Sequence, residues 1–165
     1  MDKLIRVSVL AAVMAAAGAA AFTPTDVVIV DGAPLYEEGR CGDEAGVIAE
    51  LPFWTAVAAE TVGNPESPRT YGHATLKGGE TGELEWADLG KLFVAVRDDA
   101  PVRATPEEEA AVVAWLAQGD WVGEVRIVHA EVEGRWLEVV TGGGARGWLD
   151  ASLAQPYPTE NKTHD

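Results

Sequence analysis

Apolar residues along this chain fall into two regimes. From Val7 to Phe22 they run without a charge, VSVLAAVMAAAGAAAF. Beyond that they come in short segments of alternating or branched residues, closed off by Gly, Pro or charged turns. Val27–Val30, Val122–Ala130, Arg135–Val140 and Gly147–Leu149 read as strands. Glu133-Gly134, Lys77-Gly78-Gly79 and Gly142-Gly143-Gly144 read as hairpin turns, because glycine reaches positive φ without steric cost. One segment breaks the pattern. Thr105-Pro106-Glu107-Glu108 has the form of a helix start, with good helix formers from Ala110 to Gln118 and Gly119 as a stop. At least a helical turn is expected near Pro106–Glu109. Asp43-Glu44 ahead of Ala45–Leu51 hints at a similar start.

The segments repeat in order. Asp31-Gly32-Ala33-Pro34-Leu35 returns as Asp98-Asp99-Ala100-Pro101-Val102, and Ala45–Leu51 returns as Ala110–Leu116. Later in each copy an aromatic opens an extended segment that ends in glycines. These are Tyr71 to Leu76 before Gly78-Gly79, and Trp136 to Thr141 before Gly142–Gly144. A Trp-x-Asp follows in both, Trp86-Ala87-Asp88 and Trp148-Leu149-Asp150. Two copies of roughly 65 residues, each of short strands, predict two small β-barrels. The expected fold is all-β, with barrels over residues 25–92 and 93–155 and a disordered tail over 156–165. The alternative is a small α+β fold with a helix near 106–118.

The opening residues are an address. Lys3 and Arg6 precede the apolar run, which is mostly alanine and shorter than the ~20 strongly apolar residues of a spanning helix. Residues 1–21 are expected to be a signal peptide cleaved after Ala19-x-Ala21, with Ala17-x-Ala19 as competitor and an uncleaved anchor as alternative. The product would be exported to the periplasm or medium, with no membrane attachment after cleavage.

Charge narrows the partners. The formal net charge is −15, and losing the leader would remove two cations and one anion. Such a surface repels phosphate backbones and anionic lipids, which argues against nucleic acid. A basic or proline-rich protein segment suits it better. The single cysteine, Cys41, permits no intramolecular disulfide, and no Cys or His cluster has zinc-ligand spacing. No cofactor is expected. Gly142-x-Gly144-x-x-Gly147 has dinucleotide-loop spacing but lacks the following helix and strand, so it reads as a hairpin turn. Cys41 with His73 is the one conceivable thiolate–imidazole pair; His129 and His164 offer no other.

The second copy resembles the bacterial SH3 family. The residues that carry the likeness are Val102-Arg103-Ala104-Thr105-Pro106, Val112-Val113-Ala114-Trp115-Leu116, Gly134-Arg135-Trp136-Leu137-Glu138-Val139 and Gly147-Trp148-Leu149. The first copy follows less closely: Leu35–Gly39 replaces the first element, and its closing Glu85-Trp86-Ala87 lacks the glycine. The resemblance implies five-stranded barrels in exported proteins that contact cell wall, bind proteins or target an attached catalytic domain. Trp136 and Trp148 stand where that family packs aromatics across the barrel, and with Trp86 they form the expected structural core. Trp54, Trp115 and Trp121, near turns, are candidates for an exposed aromatic groove. Tyr36, Glu37, Glu38, Glu107 and Glu108 are the acidic-loop candidates beside it. The expected function is a non-catalytic module that recognises a protein or peptide partner. The alternative is a peptidoglycan-binding module, and a cysteine-dependent wall hydrolase is the distant third.

Overall fold

A computed structural model describes residues 22–62, 70–125 and 135–158. The described residues are all-β, with three short 3-10 turns and no α-helix. None of them forms a helix able to cross a membrane. The first half contains β1 (Asp26–Val28), β2 (Ala33–Tyr36), β3 (Val47–Leu51), β4 (Ala56–Val62), β5 (Tyr71–Leu76) and β6 (Thr81–Glu85). Then come β7 (Leu89–Ala95), β8 (Ala100–Arg103), β9 (Val112–Leu116), β10 (Trp121–Val125), β11 (Trp136–Thr141), β12 (Arg146–Asp150) and β13 (Ala154–Pro156).

Hydrogen bonding joins these into one antiparallel sheet in the order β3-β2-β6-β5-β4-β1-β7-β10-β11-β12-β8-β9, with β13 also on β7. The order up to β1 recurs from β9 back to β7. The two apolar clusters correspond in the same way. Ala33, Leu35, Leu51, Val57, Ala74 and Leu84 of the first answer to Ala100, Val102, Leu116, Val122, Val139 and Leu149 of the second. Among the described residues the strand path is open, with β3 and β9 at its ends.

Strand β7 belongs to both halves. Its Leu89 lies in the first cluster, while Phe93 and Ala95 lie in the second. It pairs with β1 and then β13 along one edge and with β10 along the other. The boundary expected at Leu92 therefore falls inside a continuous strand. The tail expected from Pro156 begins differently too. Pro156 pairs with Phe93, the Tyr157 N–H donates to the Leu92 carbonyl at 2.9 Å, and the Tyr157 ring lies 5.0 Å from that of Trp121.

The helix of the α+β alternative, over 106–118, does not form. One turn closes, from the Ala110 N–H to the Glu107 carbonyl at 3.2 Å, and the chain then enters β9. There Leu116 is buried and Ala114 packs on the second cluster, while Val113 and Trp115 point out. Burying a leucine is worth about 1.5–3 kcal/mol, more than the few tenths per residue that separate helix propensities. The matching hint at Asp43-Glu44 does appear, as a 3-10 turn over Glu44–Gly46 capped by the Asp43 carboxylate. Strand β10 follows the expected Val122–Ala130 segment to Val125; the rest of that segment, the Glu133-Gly134 turn, His129, His164 and the leader lie outside the described residues.

The register also corrects the closing motif. Leu84 and Leu149 are the matched buried residues, so Gly82-Glu83-Leu84 corresponds to Gly147-Trp148-Leu149. The glycine is present in both halves, and for one reason. A Cβ on Gly82 would lie 2.7 Å from Leu35, and one on Gly147 would overlap the Arg103 carbonyl. Trp86 corresponds to Ala151, not to Trp148. Of the three expected core tryptophans, Trp86 is buried in the first cluster. Trp136 and Trp148 are half-buried and belong to neither cluster, because the two-residue period turns Leu149 inward and Trp148 outward.

Candidate functional site: an indole-lined groove

Three turns meet where the halves join. The β3–β4 turn carries Trp54, the β9–β10 turn carries Gly119 and Asp120, and the β11–β12 turn carries Gly142 and Gly143. With Trp115 on β9 and Trp121 at the start of β10 they line a groove of about 660 Å³. That is within the roughly 300–1,000 Å³ range of small-molecule sites. Trp115 is 63% exposed, the most open large apolar side chain among the described residues.

The first two turns are equivalent, and the comparison isolates Trp54. The Gly119 N–H donates to the Ala95 carbonyl at 2.9 Å and the Trp54 N–H donates to the Val28 carbonyl at 2.8 Å. Both residues are left-handed, Gly119 at φ 88° and Trp54 at φ 67°. Glycine holds that conformation freely, whereas a bulky side chain there costs about 1–3 kcal/mol. The indole of Trp54 reaches across the junction: a Cβ on Gly142 would stand 3.2 Å from it. Phe53 backs it, with ring centres 5.6 Å apart. Of Trp121, one face is occupied by Tyr157.

The groove has little charge. Among the described residues Asp120 is the single ionisable residue of its lining, and one of its carboxylate oxygens already accepts from the Ala117 N–H at 2.9 Å. No described lysine or arginine lines it.

The remaining candidates lie elsewhere. A second cleft of about 440 Å³ holds Arg103, Glu108, Arg135, Trp136 and Asp150. Arg135 pairs with Glu108 and with Asp150, and sits 5.5 Å from the Trp136 ring. Arg103 donates to the Ala110 carbonyl at 2.9 Å. Asp150 is held below the usual carboxylate range by the Ser152 backbone N–H and then by Arg135. These contacts tie the Ala104–Ala111 loop to the sheet; Glu107 beside them is exposed.

Tyr36, Glu37 and Glu38 lie by the β2–β3 loop and take no part in the groove lining. Tyr36 is buried, and its phenol is pushed up by that burial and by nearby Glu85. Glu37 pairs with Arg40, and Glu38 is exposed. The loop is pinned by buried Glu83, which accepts from the Gly39 N–H at 2.8 Å and the Cys41 N–H at 3.3 Å. Burial, then Glu85, Glu83 and Asp88, pushes the Cys41 thiol up to about 11. The charges that raise it are carboxylates, so it is protonated at neutral pH. His73 stands opposite Glu83 in the β5–β6 register. Among the described residues no group of His, Cys, Asp and Glu could hold a metal ion.

Sequence reasoning picked out Trp54, Trp115 and Trp121 but missed Asp120 and the Gly142-Gly143 pair. The available signal was the mismatch between Trp54 and Gly119 at one repeated position.

No protein-family description matches the chain, and no curated protein matches it. Solved structures do. NlpC2 from Trichomonas vaginalis is 11% identical with a TM-score of 0.33, over 83% of this chain and 49% of its own. NlpC1 from the same organism is 14% identical with a TM-score of 0.32, over 87% and 50%. A protein described as an autolysin from Listeria monocytogenes is 15% identical with a TM-score of 0.32, over 81% and 63%. The chain thus spans about half to under two thirds of these proteins. Likeness at this level assigns no activity. Against the expectation of a module dedicated to a protein or peptide partner, these structures are described as NlpC proteins and an autolysin.

Proposed function

We propose that this chain is an exported, non-catalytic module that binds cell wall, built from two SH3-like units fused through β7. The observation that carries this reading is the groove walled by Trp54, Trp115 and Trp121 at the join between the halves. The repeated strand order and the second half's resemblance to the bacterial SH3 family support the tandem assignment. The leader supports export. Cys41, a protonated thiol ringed by carboxylates, supports a binding role without catalysis.

Charge gives the reading a distinctive signature. Wall stem peptides carry carboxylates and the chain is strongly acidic, so the two repel over the roughly 10 Å Debye length of 0.1 M salt. Binding through the groove must overcome that repulsion, and screening helps it. Purified protein without its leader is expected to sediment with insoluble sacculi, with retention that holds or rises as salt is added. Replacing Trp115 by alanine should weaken retention about tenfold or more, as loss of an aromatic anchor does. Failure to sediment at any salt would remove the reading. Release of soluble wall fragments, abolished by Cys41→Ser, would replace it with an enzyme.

A further inference from the structure

Resting on the wall-binding reading, we infer that the groove takes the saccharide strand of the wall, a neutral chain of N-acetylated sugars, and not its stem peptides, and that Trp54 is the residue that sets its grip. Charge makes the first selection. Among the described residues, the only ionisable side chain in the lining is the Asp120 carboxylate, with no cation to receive a stem-peptide carboxylate. The second cleft holds two arginines, of which Arg135 already pairs with Glu108 and Asp150 and Arg103 donates to the Ala110 carbonyl. A neutral sugar chain is the wall component this lining does not repel.

Shape makes the second selection. A pyranose ring presents a flat face of C–H groups, and a flat apolar indole is its natural complement. Three indoles border the groove, and the glycines at 142 and 143 line it without side chains. The position of Trp54 is the independent observation. Its equivalent is Gly119, the residue that the left-handed backbone favours, yet the first half places an indole there at φ 67°. The strain is confined to a residue whose side chain forms the groove wall over Gly142. Strained residues held where a ligand would sit are a mark of function. A purely structural turn would be better served by glycine.

The experiment uses the protein without its leader and two soluble probes, a β-1,4-linked N-acetylglucosamine oligomer and a free stem peptide. Each is titrated against tryptophan fluorescence and then used to compete with sacculi in sedimentation. The sugar is expected to shift the emission and to release the protein from sacculi, and the peptide to do neither. Trp54→Gly is expected to lower sugar affinity tenfold or more with a melting temperature that holds or rises. Trp54→Asn, which also tolerates the left-handed region, provides a second variant with the same expectation. If the peptide displaces the protein and the sugar does not, the saccharide assignment is overturned while wall binding stands. If sedimentation fails altogether, the wall-binding reading falls, and the sugar titration, which needs no wall, decides the saccharide claim alone. Unchanged sugar affinity in both Trp54 variants overturns the role given to that residue.

Discussion

Cys41 and its surroundings show how a neighbourhood sets the behaviour of one side chain. Its thiol is half-buried and faces Glu83, Glu85 and Asp88, all of which favour the protonated form. Alkylation by iodoacetamide should therefore be slow at pH 8, with a rate that climbs toward a midpoint of about 11 in place of the ordinary 9.0. A midpoint well below 9.0 would show an activated thiol and reopen the enzymatic reading. The same shift has a consequence for stability. The folded state keeps its proton while the unfolded chain loses it, so the thiol's contribution is complete below pH 9.0 and declines as pH rises from there through about 11.

At the scale of elements, the two closing strands depend on one glycine each. Gly147 lets β12 lie against β8, since a Cβ there would meet the Arg103 carbonyl as well as Val102 at 2.9 Å. At Gly143, a few residues earlier, a Cβ would meet only the Thr141 hydroxyl, at an ordinary contact of 3.8 Å, and the φ is not left-handed. Gly147→Ala should lower stability by about 1–3 kcal/mol, as overpacking does, while Gly143→Ala should change it by less than about 0.5 kcal/mol. Chemical denaturation of the two variants would check this, and equal effects would show that the close approach is not what Gly147 supplies. The same glycine marks the limit of what the sequence makes legible. Strand positions emerge well, because period-2 alternation and glycine turns are local signals. Register does not: two Trp-x-Asp triplets invite alignment, yet the pairing matches Trp148 to Glu83 and Trp86 to Ala151. The segment after Pro106 fails for a related reason. Its helix signals are local and real, and burial of Leu116 on the sheet outweighs them.

For the whole molecule, β7 decides how the chain unfolds. It contributes to both apolar clusters and hydrogen-bonds into both halves. Urea unfolding followed by tryptophan fluorescence and by far-UV circular dichroism is therefore expected to give one coincident transition. Two resolved transitions would show that the halves are independent. A fragment starting at Phe93 should be much less stable than one starting at Leu89, because it loses Lys91 and Gly90 opposite Glu124 and Val125. The groove was legible only in its parts. Three tryptophans near turns are visible in the sequence, but Trp54 is far from Trp115 along the chain, and only the sheet order brings them to one place.

The shared strand leaves no hinge between the two sides of the groove. Trp54 hangs from β1 through its backbone, and β1 is laced to β7, which is laced in turn to the strand that begins with Trp121. The opening is thus a fixed-jaw caliper and not a clamp: its width is written in hydrogen-bond register and does not adjust to what enters. Such a gauge discriminates by thickness, admitting a chain that fits between its jaws and giving nothing to one that is too thin to touch both. It is also set in discrete steps, because one residue added to β7 would turn the following side chains to the opposite face and move one jaw relative to the other.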